Sequence, residues 1–118
     1  MRSRKHFPDF MKDPANAVTS QFQSQGVTGY IFDGVNGSQM AFWECHTDGI
    51  SAEHTHEFEE YMLVVDGCYM LIMGEKKVAI RAGQEYLIPK GVPHAGEFVE
   101  GTRTIHAFGG PRAKRKHS

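Results

Sequence analysis

His54, His56 and Glu60 lie in the stretch from Gly49 to Gly67 and are of the types that bind metals. Successive side chains of a β-strand alternate faces, so residues two apart point the same way. His54 and His56 therefore aim two imidazoles at one point. Glu60 shares their parity and joins them if the chain stays extended or folds back without a bulge. Two imidazoles and one carboxylate on one face suit a divalent transition metal. Glu59 has the opposite parity and would replace Glu60 only through a bulge. Glu53 and Glu57 read as surface charge.

The elements that must hold these side chains are short and β-like. Gly makes up 13 of 118 residues, which implies many turns. Strands are expected over 27–33, 39–46, 52–56, 59–66, 68–73, 77–81 and 85–88, then from His94, and finally over 102–108. Gly-containing turns separate most of them. Nine short strands of this kind form a sandwich or barrel. The run from Tyr61 to Val65 is apolar on both faces, so one face fills the interior and the other needs a cover. The cover is a second sheet, the N-terminal segment or a partner chain. Ahead of the strands, Asp13-Pro14 reads as an N-cap followed by a proline in the first helical position. That predicts a short helix over about 14–25, or else an arm that wraps on the domain or pairs with a neighbouring subunit.

A later stretch places a further candidate ligand, His94, behind Gly83, Pro89 and Gly91. The frames His54-x-His56-x3-Glu60-x6-Gly67 and Gly83-x5-Pro89-x-Gly91-x2-His94 together resemble the two sequence motifs of the cupin superfamily. Gly49 stands one residue nearer His54 than that pattern has it, and Phe98 replaces its terminal Asn. The resemblance covers residues 27–108. It implies an all-β, cupin-type jelly-roll β-barrel with a short N-terminal helix or arm. The organisation expected is an arm or helix over 1–26, the barrel over 27–108 and a basic tail over 109–118. The resemblance also implies a metal bound by His54, His56, Glu60 and His94. Imidazole and carboxylate donors suit one divalent ion of Fe, Mn, Ni, Cu or Zn.

Other residues are weaker candidates. His106 has the parity of Thr104 and Phe108 on the last strand; it either faces the cavity, as a support to a ligand or an acid–base group, or is simply packed. His46 at the end of the second strand has the same two readings. Arg112 to Lys116 form a basic cluster that reads as a solvated terminus. Cys45 and Cys68 are too far apart for a C-x-x-C pair and read as reduced, largely buried thiols.

Composition limits the partners. Net charge is −1, so no basic field points to nucleic acid. The basic start of the chain has no apolar stretch behind it, and no run is long enough to span a bilayer. A cytoplasmic protein that takes a small molecule, with no nucleic-acid or membrane partner, is expected. A homodimer is expected as well, as cupins are similarly often dimers and closed two-fold pairs dominate homo-oligomers. Two functions remain. One is an enzyme of dioxygenase, isomerase or lyase type acting on an oxygen-rich metabolite; the other is metal-dependent binding or sensing without turnover.

Overall fold

Short alternating runs cut by turns leave the chain one way to bury its apolar side chains, as two facing antiparallel sheets. The computed structural model describes residues 6–19 and 24–116. Among these the strands are β1 (Val27–Asp33), β2 (Gln39–Cys45), β3 (Gly49–His54), β4 (Glu60–Asp66), β5 (Cys68–Met73), β6 (Lys76–Arg81), β7 (Glu85–Ile88), β8 (His94–Phe98) and β9 (Arg103–Phe108). One sheet has the order β1-β2-β9-β4-β7 and the other the order β3-β8-β5-β6. Every pairing is antiparallel. The last strand, β9, is thus central to its sheet, between β2 and β4. Sequence-distant strands lie side by side, the jelly-roll arrangement expected.

Register decides what faces inward. Ile31, Ala41, His106, Met62 and Tyr86 form one row across the five-stranded sheet. Ile31, Ala41 and Met62 are fully buried, and His106 lies between the last two. The core has two apolar clusters, one around Ile31, Trp43 and Phe108 and the other around Met62, Leu71 and Ile88. Gly67, which joins β4 to β5, has φ +82°, and a Cβ there would lie 2.7 Å from the Thr102 Cα. Both the left-handed backbone and the close approach require glycine.

The outward row of the same sheet is Phe32, Met40, Ala107, Tyr61 and Leu87. Residues 6–12 cover one end of this outer face. Phe7 is buried against Phe42, beneath the Arg103 guanidinium, and its N–H donates to Glu44 Oε2 at 2.8 Å. The other end stays open, with Met40 43% and Leu87 54% exposed.

Two expectations about the chain ends change. The helix expected over 14–25 is a single 3-10 turn, Pro14–Asn16, among the described residues; residues 20–23 of that span lie outside them. Asp13 caps the turn as expected, accepting from the Ala15 N–H at 2.9 Å. Beyond it the chain goes extended, because Ala17 bridges Tyr30 and Val18 bridges Arg115. The β-branched Val18 is fully buried in this extended form. The second change concerns the basic tail, which is pinned rather than solvated over its described length. Thr19 N–H donates to Lys114 O and Lys116 N–H to Ala17 O, both at 2.9 Å. Arg115 donates to Asp33, Asn16 and the Ile31 carbonyl. Buried Gln39 accepts from the N–H groups of Arg112 and Ala113.

Candidate metal centre

The site forms where the chain crosses from one sheet to the other. β3 ends at His54, which pairs across the strands with His94 at the start of β8; a register shift lies between Ser51 and His54. His56 follows in the turn, two residues past the strand expected to contain it. Its carbonyl accepts from the Gly91 N–H at 2.8 Å, which ties this turn to the one leading into His94. The His56 ring stacks on Phe58, with centroids 4.9 Å apart. Glu60 then opens β4 in the opposite sheet. The side chains converge because the chain turns across the sandwich, not because they alternate along one strand.

One ligand atom from each of His54, His56, Glu60 and His94 falls within 4.8 Å of all the others. The tautomers follow from the partners. His54 Nδ1–H donates to the Ala52 carbonyl at 2.8 Å, and His94 Nδ1–H to the Val92 carbonyl at 2.9 Å. Each ring is left with its Nε2 lone pair for the centre. His56 Nε2 and His94 Nε2 each lie 3.3 Å from Glu60 Oε1. All three of these atoms are buried without a hydrogen-bond partner. An unsatisfied buried polar atom costs about 1–3 kcal/mol, and one cation among them would satisfy all three. Adjacent donors around an octahedral ion with bonds of about 2.1 Å lie about 3 Å apart, so the donor set fits such an ion.

The second oxygen of Glu60 is held separately. His106 Nδ1–H donates to Oε2 at 2.7 Å, and His106 Nε2 accepts from the Thr104 hydroxyl at 3.0 Å. Burial opposes the charge on Glu60, yet the hydrogen bond from His106 and the nearness of the His56 and His94 imidazoles outweigh it and hold the carboxyl well below the usual range. Burial pushes His54 down to about 4. Near neutrality Glu60 is therefore ionised and His54 neutral, the forms that bind a metal. Burial also opposes protonation of His94, but Glu60 and the Val92 carbonyl prevail and raise its pKa.

The cluster opens on a cavity of about 70 Å³ with Trp43, Met62, Leu71 and Phe98 among its walls, room for a few water-sized groups. Phe98, standing where the motif has Asn, is buried and stacks on Tyr69. His106 faces the cavity; His46 does not, being exposed and paired with the Thr28 hydroxyl. Glu53, Glu57 and Glu59 are exposed.

Among the polar groups of the cavity, Thr104, Tyr69 and Arg112 were not singled out from sequence. Burial raises the Tyr69 phenol to about 12, so it stays protonated. A Cβ on Gly96 would overlap the Tyr69 hydroxyl, so the glycine makes room for it. Strand parity marks Thr104 once His106 is placed. Nothing in the sequence marks Tyr69 among four tyrosines, or Arg112 within a basic run.

Comparison with known proteins agrees with this architecture. The family model described as "Cupin domain" (Cupin_2) matches residues 41–108. No curated protein matches. Among solved structures, KdgF from Halomonas sp. is 15% identical with a TM-score of 0.65, over 84% of this chain and 94% of that one. An RmlC-like cupin from Shewanella frigidimarina is 15% identical with a TM-score of 0.68, over 80% and 82%. A chain in the complex of Rhodobacter sphaeroides SigE with the anti-sigma ChrR is 17% identical with a TM-score of 0.61, over 72% and 46%. Identities this low speak to the fold alone, whereas the family model spans more than half of the sequence: the chain belongs to the cupin domain family.

Proposed function

We propose that this protein is a metal-dependent enzyme that acts on a small oxygen-rich metabolite, with His54, His56, Glu60 and His94 as the ligands. The observation that carries the reading is the meeting of three partnerless buried donor atoms, His56 Nε2 and His94 Nε2 each lying 3.3 Å from Glu60 Oε1. A divalent ion held there would polarise substrate oxygens and acidify a bound water. His106 positions Glu60: by holding Oε2 it leaves Oε1 alone to face the centre. Thr104 fixes the tautomer of His106. The Tyr69 phenol supplies a proton donor inside the cavity. Proton-transfer chemistry of the isomerase or lyase type is favoured over plain binding or dioxygenase chemistry, because polar side chains share the cavity with the ligands.

Elemental analysis of protein purified without chelators is the test. Wild-type protein is expected to carry close to one transition-metal ion per chain, and His54→Ala and His94→Ala to lose it while keeping a β-type circular dichroism spectrum. Full occupancy in both variants would overturn the ligand assignment. Dioxygen uptake with candidate metabolites separates oxygenase from non-redox chemistry.

A second copy of the chain is the partner we propose for the open outer face, where Met40, Tyr61, Ala107 and Leu87 form one row. Light scattering at micromolar concentration is expected to give a dimer, and a monomer would refute it. Among the described residues no helix is long and apolar enough to cross a membrane. Both cysteines are free, which supports a reducing, cytoplasmic setting.

A further inference from the structure

Arg112 lines the same cavity as His54, Glu60 and Tyr69. Its guanidinium lies over the Phe108 ring, 5.9 Å from the centroid. Among the described residues it has no carboxylate partner and no side-chain hydrogen bond. Arg103 lies 3.9 Å from Asp66, and Arg115 is bonded to Asp33. Arg112 is also not a loose tail residue. Its backbone N–H donates to buried Gln39 at 2.7 Å, and the next residue, Ala113, is bonded to both ends of the Gln39 amide. The fold thus carries a half-buried guanidinium to the cavity and fixes it there. Burial disfavours its charge, and the negative charge of Glu60 offsets this in part. Arginine keeps its proton regardless, so the group stands as an unpaired cation with donors in a planar fork. That fork matches a carboxylate, which it can grip with two parallel hydrogen bonds.

We propose that Arg112 anchors the carboxylate of a small organic acid whose remaining oxygens face the His54, His56, Glu60 and His94 cluster. This narrows the oxygen-rich metabolite proposed above and rests on that reading for the orientation of the acid, but not for the grip of Arg112 on it. A hydroxy or oxo acid satisfies both ends, its carboxylate on the guanidinium and its second oxygen donor toward the cluster. The apolar walls formed by Trp43, Leu71 and Phe98 leave room for only a short carbon skeleton.

The test compares lactate with lactamide, its uncharged near-isostere, by isothermal titration calorimetry, on protein as purified and after chelator treatment. Wild-type protein is expected to bind lactate at least about tenfold more tightly than lactamide in both preparations. Arg112→Gln is expected to bring the two within about threefold, and Arg112→Lys, which keeps the charge without the fork, to lie between. A preference for lactate that survives in Arg112→Gln, or that is missing from wild-type protein, would overturn the proposal. Tighter Arg112-dependent binding of inorganic phosphate than of lactate would overturn the carboxylate assignment. Should Arg112→Gln not fold, phenylglyoxal labelling of wild-type protein, read by peptide mass, replaces it. Protection of Arg112 by lactate but not lactamide supports the proposal, and equal labelling overturns it. Elemental analysis of the same samples keeps the two readings apart. Protein that carries no metal as purified yet discriminates through Arg112 overturns the metal reading alone, and metal-loaded protein without discrimination overturns the Arg112 proposal alone.

Discussion

Replacing His106 with leucine isolates the hydrogen bond that holds Glu60. The substitution removes the 2.7 Å bond to Glu60 Oε2 and the 3.0 Å bond from Thr104. Leucine is close to imidazole in volume and would sit between fully buried Ala41 and Met62, so packing changes little. A hydrogen bond to a charged group contributes about 1.5–3 kcal/mol, and a buried carboxylate oxygen left without a partner puts the loss near the upper value. With each kcal/mol worth roughly 3–6 °C in a domain of this size, the melting temperature of metal-free protein should fall by about 9–18 °C at pH 7. The loss should also depend on pH with a definite sign. The folded-state pKa of Glu60 is lowered, so its stabilisation is fully present above the unfolded value of 4.5 and is lost as pH falls toward the folded value. The gap between wild type and His106→Leu should therefore be widest near neutrality and narrow below about pH 4.5. Metal affinity in the same variant should fall about 10–100-fold, as for other supports of metal ligands. The assay is urea or thermal unfolding of chelator-treated protein across this pH range. A melting temperature within about 1 °C of wild type at pH 7, or a gap that does not change with pH, would refute the reasoning.

Three shorter predictions follow from other parts of the fold. Burial raises the Cys45 thiol to about 12, leaving a thiolate fraction of roughly 10⁻⁴ at pH 8, so Cys45 should resist a disulfide reagent until the protein is unfolded. The His54 imidazole, pushed down to about 4, should show no NMR titration between pH 7 and 5.5 in metal-free protein. Because the unfolded chain takes up that proton first, the contribution of His54 to stability is complete above about pH 6.5 and is lost on acidification toward 4, measurable as a falling urea midpoint. Gly67→Ala forces an L side chain to φ +82° against the Thr102 backbone and should cost about 2–4 kcal/mol in urea unfolding.

The cluster of His54, His56, Glu60 and His94 was legible in the sequence because two frames fix it: a turn with a set number of residues leads from His54 to Glu60, and a second leads into His94. Strand alternation reached the same residues by an incomplete route. It places His54 correctly, but His56 lies beyond the end of β3, and Glu60 belongs to the opposite sheet. The spacing encodes a crossing, and a crossing can imitate alternation. His106 was legible only as a parity with two readings, since which face of β9 is inward depends on β2 and β4, far away in sequence. The segment 14–19 carries a good helix start, yet tertiary pairing with Tyr30 and Arg115 overrides it after one turn. Arg112 was not legible at all. Its place depends on the Gln39 amide, which is 73 residues away and which local composition cannot reveal.

The pinned C-terminal segment has a consequence for how this molecule can diversify. The four candidate ligands and His106 sit on or beside strands of the two packed sheets, where a change of residue disturbs the core. Arg112 and Ser24, which also line the cavity, lie outside the strands, in the segments that flank the sheets toward the two ends of the chain. The candidate ligand cluster and part of the cavity lining are thus carried by separable parts of the sequence. Exchange of the terminal segments can change the cavity lining while the barrel and the candidate ligands remain as they are.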